Sequence, residues 1–415
     1  LSLDIDALAR CFIEVENLLA IQDLDGVCMG LVKDPLTREI DPRYVEATQA
    51  FEGHFYVLTN GEHIGQRGVN GIIERAFGEG ETVKQQGLYL PGLAAGGVQW
   101  QDRQGNVSHP GVSEAEMEFL RAVPDRIKQR LRQAFEPYEG VLDAPTLDRC
   151  IEASALDNVA SPTANLNTFY ETLGDRVEIY MALQQQMQAL MDELLDEAAE
   201  KGLDDSFFVH YAPNLGRDER GNEIMWPARG QDSGTTDFQF MLRGAIKEAG
   251  VLAILNRYYH QRTGTYPLGE DFSVRQAPKR HEDLLALVKA NFDPQQMPLM
   301  VGIGDTVTSQ VSDEGGVRRG GSDRNFLQLI QEIGREFNTG NIIVYVDSSG
   351  GEVKNRKPIE LTQDGNGELK AVEGPGDARD TDDPLTLNVA FHEGHRQYIE
   401  FFQRVARERQ QRMQG

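Results

Sequence analysis

Short apolar runs that end in polar residues recur in the first and last parts of the chain. Each run is almost continuously apolar, which is typical of parallel strands that helices cover on both faces. The runs are "LLAIQD" at 18–23, "HFYVLT" at 54–59, "PLMVGIGD" at 298–305 and "NIIVYVDS" at 341–348. Helical spacing of apolar residues separates them, at 43–52, 64–77, 244–262, 281–291 and 323–337. This alternation predicts an α/β fold in which helices wrap a parallel sheet.

The middle of the chain follows a different pattern. Long amphipathic helical spacing, rich in Glu and Gln, covers 113–135 and 165–202. Strand-like runs follow at 206–213 and 237–242. The polar, Gly-rich segment 214–237 between those two runs predicts a loop.

The length of the chain and this change of pattern predict two domains. A chain of 415 residues exceeds the size that one hydrophobic core usually spans. We therefore interpret 111–240 as an inserted α+β domain. Residues 1–110 and 241–415 are expected to form the two parts of the other domain.

The net charge limits the partners that the protein can bind. Asp and Glu number 66 against 41 Lys and Arg, which gives a formal net charge of −25. A surface this acidic repels nucleic acids and anionic membranes, so we expect neither as a partner. The acidic, turn-rich segment "GPGDARDTDD" at 374–383 predicts a solvated surface loop. An anionic substrate needs a local cation on such a protein.

Membrane and disulfide signals are weak in this sequence. No apolar run approaches the roughly 20 residues that span a bilayer. The three cysteines form no Cys-x-x-Cys pair, which favours a reducing, cytoplasmic location.

Polar side chains end each of the four predicted strands. They are Asp23 and Asp25 after the first strand, Thr59 and Asn60 after the second, Asp305 after the third and Asp347 after the fourth. Because the carboxyl ends of parallel strands meet at the edge of a sheet where ligands bind, we expect these side chains to converge. Converging carboxylates repel one another unless a cation lies between them, and hard oxygen ligands suit Mg²⁺. The sequence therefore predicts a magnesium site at this edge.

Four short motifs resemble those of the haloacid dehalogenase (HAD) phosphatase superfamily. They are "DLDGV" after the first predicted strand, "VLTN" ending the second, the lysine near the start of a helix in "RGAIKEAGVLAIL", and "GIGD" ending a later strand. The motifs stand in the order of the superfamily and span most of the chain. The resemblance implies a Rossmann-like parallel-sheet HAD core with an inserted α+β cap domain. It also implies Mg²⁺-dependent hydrolysis of a phosphate monoester through an aspartyl-phosphate.

The same resemblance implies a role for each catalytic residue. Asp23 is expected to be the nucleophile, and Asp25 the general acid that protonates the leaving oxygen and then the base that activates water. Thr59 is expected to hydrogen-bond the transferred phosphoryl group. Lys247 is expected to neutralise the negative charge that develops there. The alternative lysine, Lys289, comes late in a helical pattern, on a face typical of solvated surface.

The resemblance also implies the metal ligands, which are Asp23, the backbone carbonyl of Asp25, and Asp305. The fourth motif of the superfamily usually supplies another acid a few residues further on, but "GDTVTSQV" offers none beyond Asp305. The next acids are Asp313 and Asp323, and "GGSDRNFLQLI" at 320–330 is similar to the end of that motif displaced by an insertion. Asp323 is therefore either a further ligand or the N-cap of the helix that follows.

The position of the inserted domain bears on the substrate. Sugar-phosphate members of the superfamily, such as trehalose- and sucrose-phosphate phosphatases, carry a large cap there, so the resemblance implies a small-molecule sugar phosphate. A catalytically silent sugar-phosphate-binding regulator is the alternative, although the catalytic motif residues are present. The residues that we expect to contact the substrate follow the second strand or lie in the polar loop: Asn60, Glu62, His63, Asn214, Arg217 and Arg220. For the loop residues, a solvated turn is the alternative.

Overall fold

The chain divides into two compact units. A computed structural model describes residues 1–32, 35–65, 67–212, 214–217, 223–230, 232–311, 317–352, 358–363, 369–377 and 380–414. Unit 1 consists of residues 1–63, 67–111 and 246–415, and unit 2 of residues 64–66 and 112–245. Among the described residues, no helix has the length and apolar character needed to cross a membrane.

The strands of the described residues are short. In chain order they are β1 (Leu18–Gln22), β2 (Phe55–Leu58), β3 (Gly92–Ala94), β4 (Gln99–Gln101), β5 (Val107–Ser108), β6 (Ala155–Leu156), β7 (Thr163–Asn165), β8 (Phe207–Ala212), β9 (Asn214–Arg217), β10 (Glu223–Met225), β11 (Asp237–Leu242), β12 (Leu299–Gly304), β13 (Thr308–Val311), β14 (Val317–Gly320), β15 (Ile342–Val346), β16 (Glu360–Gln363), β17 (Leu369–Glu373) and β18 (Val389–Phe391).

The α-helices of the described residues vary more in length. They are α1 (Asp6–Glu14), α2 (Pro42–Thr48), α3 (Val69–Phe77), α4 (Gly80–Gln85), α5 (Glu114–Phe135), α6 (Ala144–Ser154), α7 (Asn167–Leu173), α8 (Val177–Glu200), α9 (Lys247–Thr263), α10 (His281–Asn291), α11 (Arg324–Phe337) and α12 (His395–Gln414).

Glycines shift two of the predicted helix boundaries. The helix predicted at 64–77 begins only at Val69, because Gly65 before it adopts a φ of 93° that a helix cannot continue through. The helix predicted at 165–202 is two helices, α7 and α8. Gly174, with a φ of 56° and a ψ of −121°, separates them.

Eight strands form one sheet in unit 1, in the order β18-β15-β12-β1-β2-β3-β4-β5. Pairing is parallel from β18 across to β3 and antiparallel from β3 to β5. Strand β1 lies between β12 and β2, and all five of its residues are buried. The four strands predicted from apolar runs are therefore neighbours, and their carboxyl ends share one edge. This confirms the predicted α/β class with a parallel core sheet.

Strand β12 and helix α11 approach each other closely because two glycines of β12 leave no side chain between them. A Cβ atom on Gly302 would lie 2.9 Å from both Leu327 Cδ2 and Ile330 Cδ1. At the end of the strand, a Cβ atom on Gly304 would lie 2.8 Å from Asp323 Cβ. Although strands β13 and β14 lie between them in the sequence, the end of β12 and the start of α11 therefore remain in contact.

Unit 2 is built on a four-stranded antiparallel sheet with the order β6-β7-β11-β8. Helix α5 begins at a capping box, in which Ser113 Oγ accepts from the N–H of Glu116 and Glu116 Oε2 accepts from the N–H of Ser113. Phe119 of α5 stacks on Phe240 of β11, with ring centroids 5.8 Å apart. The prediction of a loop at 214–237 is wrong in part, because β9 and β10 form an antiparallel pair within it.

Candidate active site

The end of β1 places Asp23 in a buried position. Its N–H donates to the carbonyl of Ile303 on β12 (2.9 Å), and the residue is only 7% exposed. The turn that follows requires glycine: Gly26 has a φ of 83°, and a Cβ atom there would lie 2.2 Å from Asp305 Oδ2. A side chain at position 26 would therefore displace the Asp305 carboxylate from its place beside the end of β1.

Three buried carboxylates meet at this edge of the sheet. Asp23, Asp305 and Asp323 each offer an oxygen, and these oxygens all lie within 4.8 Å of one another. All three residues are buried. Carboxylate oxygens gathered in this way fit a hard divalent cation such as Mg²⁺.

Asp323 does not cap the helix that it precedes. Its side chain makes no capping bond to α11. Instead, Oδ2 accepts from the N–H of Asp305 (2.9 Å) and the N–H of Thr306 (3.0 Å), and the residue is fully buried. Asp323 therefore occupies the N-cap position of α11, but its side chain bonds the end of β12 instead of capping the helix.

Lys247 is the first residue of α9 and extends between two of the carboxylates. Its Nζ lies 2.6 Å from Asp323 Oδ1 and 3.0 Å from Asp23 Oδ1. Burial lowers the pKa of Lys247, but Asp23 and Asp323 outweigh burial and the pKa is raised, so the ammonium stays charged. The alternative, Lys289, pairs with Glu336 at 3.0 Å and has a side chain that is 48% exposed.

The charges of this cluster do not balance. Burial, followed by the negative charge of Asp323, raises the pKa of Asp23 well above its usual range, and Lys247 only partly offsets this. Burial also opposes ionisation of Asp323, but Lys247 and two backbone N–H groups lower its pKa overall. One ammonium beside three carboxylates leaves a deficit of positive charge, which a bound divalent cation would correct.

Asp25 is held by an arginine that the sequence analysis missed. Arg38 Nη1 donates to Asp25 Oδ2 (2.9 Å) and Oδ1 (3.2 Å), and Arg38 Nη2 donates to the carbonyl of Arg67. The side chain of Asp25 is 34% exposed, whereas that of Arg38 is 10% exposed. No motif in the sequence pointed to Arg38, which follows the first strand by sixteen positions.

Thr59 lies at the end of β2, beside Asp25. A Cβ atom on Gly61 would lie 3.7 Å from Thr59 Oγ1 and 4.0 Å from Asp25 Oδ2, so the Gly61 backbone borders both side chains. The N–H of Gly61 donates to Thr59 Oγ1 at 3.3 Å. Asn60 is exposed at the same strand end.

The other two candidates after β2 lie deeper. Glu62 is 6% exposed and accepts a long hydrogen bond of 3.4 Å from Gln99 Nε2. His63 is fully buried, and its Nε2 donates to the carbonyl of Gly92 at 3.1 Å. Burial lowers the pKa of His63 to about 4. A neutral, buried imidazole that is bonded to the backbone is typical of a structural residue, so His63 does not face an open site here.

The candidates in unit 2 lie at or near the β9–β10 hairpin. Asn214 Nδ2 donates to Glu223 Oε2 (3.0 Å) and to the carbonyl of Tyr211 (2.9 Å). Arg217 ends β9, and Arg220 lies outside the described residues.

Asp383, in the predicted surface loop, pairs with an arginine that adjoins the carboxylate cluster. Asp383 accepts from Arg324 Nη1 (2.9 Å) and lies 2.6 Å from Arg319 Nη1, and its side chain is 4% exposed. Because Arg324 directly follows Asp323, this pairing fixes the start of α11. The prediction of a solvated loop at 374–383 is therefore wrong at Asp383, whose carboxylate pairs with two arginines, and at Asp377, which is 6% exposed.

A histidine between two glutamates ties three helices of the site together. His281 at the start of α10 pairs through Nδ1 with Glu248 of α9 and through Nε2 with Glu332 of α11, the latter at 2.7 Å. The hydrogen bond with Glu248 is the main cause that raises the pKa of His281 to about 9; burial opposes it and Glu332 adds to it. Helix α9 begins with Lys247, and helix α11 begins directly after Asp323. His281 therefore connects the two helices that position these side chains.

The raised pKa of His281 makes part of the stability depend on pH. Its contribution is fully present below the unfolded pKa of about 6.5 and is lost as the pH rises through about 9. We expect His281→Gln to lower the melting temperature at pH 6.5 by a few degrees and to have little effect at pH 10. Thermal unfolding followed by circular dichroism at both pH values measures this.

A suitable control for that comparison is His260→Gln. The imidazole of His260 stacks on Tyr266, with ring centroids 3.8 Å apart, and pairs with no carboxylate among the described residues. A stability difference between the wild type and His281→Gln that stays constant from pH 6.5 to pH 10 would contradict the charged pairing.

A carboxylate at the end of the central parallel strand, held beside a buried ammonium and two further acids, is the arrangement of HAD-type phosphatases, and the fold and site place the chain in that class. The family model described as glucosylglycerol-phosphate phosphatase matches residues 17–406. The chain belongs to that family. The resemblance found in the sequence is confirmed, and the protein is a phosphoric monoester hydrolase.

A relative and two solved structures illustrate the range of similarity. The glucosylglycerol-phosphate phosphatase of Synechocystis sp. is 61% identical over 409 residues, which cover 98% of this chain and 97% of that protein. A trehalose-6-phosphate phosphatase of Aspergillus fumigatus is 10% identical, with 98% of each chain covered and a TM-score of 0.38. The C-terminal domain of the C. albicans enzyme is 11% identical, with 98% and 97% covered and a TM-score of 0.43. Structural likeness at these values does not bear on the substrate.

Proposed function

We propose that the protein hydrolyses 2-(glucosyl)-glycerol 3-phosphate to glucosylglycerol and phosphate through an aspartyl-phosphate. The observation that carries the chemistry is the buried carboxylate of Asp23, 3.0 Å from the ammonium of Lys247 at the end of β1. The choice of substrate is supported by the 61% identity to a phosphatase named for it. The organic product is neutral, as a compatible solute must be, and we place the reaction in the cytoplasm.

In the first step, an oxygen of Asp23 attacks phosphorus on the side opposite the leaving group. The bond between phosphorus and the glycerol oxygen breaks, and its electron pair leaves with that oxygen. Asp25, two residues further along the turn, donates a proton to it as general acid. The products of this step are free glucosylglycerol and the aspartyl-phosphate.

In the second step, Asp25 is a carboxylate and takes a proton from a water molecule that attacks the same phosphorus. The bond between phosphorus and Asp23 breaks, which releases phosphate and restores the carboxylate. Lys247 holds its positive charge next to the phosphoryl group in both steps. The hydroxyl of Thr59, buried at the end of β2, donates a hydrogen bond to a phosphoryl oxygen in this proposal.

The carboxylates of Asp23, Asp305 and Asp323, with the backbone carbonyl of Asp25, would hold a Mg²⁺ ion. The ion supplies positive charge that binds and polarises the phosphoryl oxygens. Such a local cation matters on this protein, because the formal net charge of −25 opposes the approach of an anionic substrate.

Phosphate release from three sugar phosphates tests the proposed reaction. With Mg²⁺, we expect rapid release from glucosylglycerol phosphate and at least about tenfold lower kcat/KM with trehalose phosphate and sucrose phosphate, since a differing sugar loses several hydrogen bonds. EDTA is expected to abolish release. Faster release from either of the other sugars would contradict the substrate, and silence on all three would favour a sugar-phosphate-binding regulator instead.

A further inference from the structure

Arg38 is fixed from two directions beside the proposed general acid. Its Nη1 donates to both carboxylate oxygens of Asp25, and its Nη2 donates to the backbone carbonyl of Arg67. Arg67 lies two residues before α3, so the guanidinium joins the turn after β1 to the segment that leads into this helix. Its side chain is 10% exposed.

Asp25 differs from its neighbour Asp23 in how its orientation is set. Asp23 is buried among fixed charges, whereas the side chain of Asp25 is 34% exposed. Among the described residues, Arg38 is the one side chain that donates a hydrogen bond to the Asp25 carboxylate. A half-exposed carboxylate on a turn samples several rotamers unless a contact selects one.

We propose that Arg38 is a positioning residue, which holds the Asp25 carboxylate in the orientation that proton transfer to the leaving oxygen requires. The proposal rests on the function proposed above, in which Asp25 is the general acid. Proton transfer needs the two oxygens within about 3 Å of each other, so loss of a fixed orientation slows the step. Arginine suits this role because its rigid planar fork directs N–H groups of separate nitrogens at Asp25 and at the carbonyl of Arg67, whereas lysine offers one nitrogen on a flexible stem.

The role makes a prediction that depends on the leaving group. A glycerol alkoxide is a poor leaving group and needs the proton, whereas p-nitrophenolate is stable as an anion and leaves without one. The difference is confined to the first step and is therefore read from kcat/KM, because Asp25 is also the base of the second step, which both substrates share. In that first step, a residue that acts through the general acid is needed for glucosylglycerol phosphate and is dispensable for p-nitrophenyl phosphate. A residue that merely stabilises the fold affects both substrates alike.

The test compares Arg38→Ala with the wild-type protein on both substrates, in saturating Mg²⁺. We expect kcat/KM for glucosylglycerol phosphate to fall by about 10- to 100-fold, a part of what general acid catalysis contributes. For p-nitrophenyl phosphate, we expect kcat/KM to change by less than about threefold. Arg38→Lys keeps the charge but loses the rigid fork that fixes the carboxylate, so its loss on the sugar phosphate is expected to be intermediate.

Arg43→Ala is the matched control. Arg43 lies five residues further along, its side chain is 76% exposed, and it pairs with Asp41 rather than with Asp25. This variant is expected to leave kcat unchanged on both substrates. Equal losses on the two substrates in Arg38→Ala, or in Arg38→Lys where the alanine variant unfolds, would overturn the proposal.

A double variant separates this proposal from the proposed function. If Arg38 acts through Asp25, Asp25→Asn combined with Arg38→Ala is expected to be no slower on glucosylglycerol phosphate than Asp25→Asn alone. A further loss of about tenfold in the double variant would overturn the role of Arg38 and leave Asp25 as the acid. Full turnover by Asp25→Asn would overturn the acid itself, and the role of Arg38 with it.

Discussion

Replacing Asp23 with asparagine is expected to lower phosphate release from glucosylglycerol phosphate by about 10⁴-fold or more. The amide oxygen of asparagine is a far weaker nucleophile than a carboxylate, so the aspartyl-phosphate does not form. Removing a nucleophile from a preorganised site typically costs several orders of magnitude in kcat. Because asparagine has nearly the same shape, the contacts of β1 with β12 and β2 are expected to remain.

The same substitution is expected to raise the melting temperature in the absence of Mg²⁺. Burial and the charge of Asp323 raise the pKa of Asp23, so its ionised form lowers the stability of the folded state at pH 7. The neutral amide removes that repulsion. A protein that is more stable and yet inactive separates a chemical role of Asp23 from a structural one.

Asp4→Asn is the matched control for this prediction. Asp4 and Asp6 form another Asp-x-Asp, at the start of the chain, and Asp4 is exposed, with Oδ1 accepting from the N–H of Asp6. We expect this variant to keep the full rate in a phosphate-release assay and an unchanged melting temperature. Turnover by Asp23→Asn above about one per cent of the wild-type rate would contradict the proposed nucleophile.

The residues at the strand ends were predictable because a local pattern decides their position. An apolar run followed by a polar residue marks the carboxyl end of a buried parallel strand, and parallel strands end at one edge. Asp23, Asp25, Thr59 and Asp305 therefore lie together once the order β12-β1-β2 is known. Lys247 lies beside them because it starts a helix that packs on the same sheet.

The residues that sequence reasoning missed or left open depend on contacts between distant segments. Asp323 follows Asp305 by eighteen positions, and only the close packing of α11 on β12 across two glycines brings it back. The segment 374–383 was predicted to be a solvated surface loop because acidic, Gly-rich segments usually are. Nothing in the local sequence indicates that Asp383 pairs with Arg324. Arg38 likewise could not be found from local sequence, because its importance depends on its contact with the Asp25 carboxylate, thirteen residues before it.

Asp323→Asn is expected to weaken the response to Mg²⁺. The variant removes one of three converging carboxylates, so we expect the Mg²⁺ concentration for half-maximal activity to rise at least about tenfold. Titration calorimetry of Mg²⁺ into the phosphate-free protein measures the same change without turnover. Asp347→Asn is the control: Asp347 is 5% exposed and accepts from the N–H groups of Ser349 and Ile359, so its loss is expected to lower the melting temperature but not the affinity for Mg²⁺.

Asp323 also holds Lys247, and the two roles predict different results for the same variant. Loss of a metal ligand raises the Mg²⁺ requirement, and excess Mg²⁺ restores most of kcat. Loss of the 2.6 Å pairing with Lys247 leaves Mg²⁺ affinity unchanged, while kcat falls and no concentration of Mg²⁺ restores it. Because both Oδ2 contacts of Asp323 come from backbone N–H groups that an amide oxygen still accepts, asparagine preserves the helix start. An unchanged Mg²⁺ affinity in Asp323→Asn would therefore assign this acid to the lysine rather than to the metal.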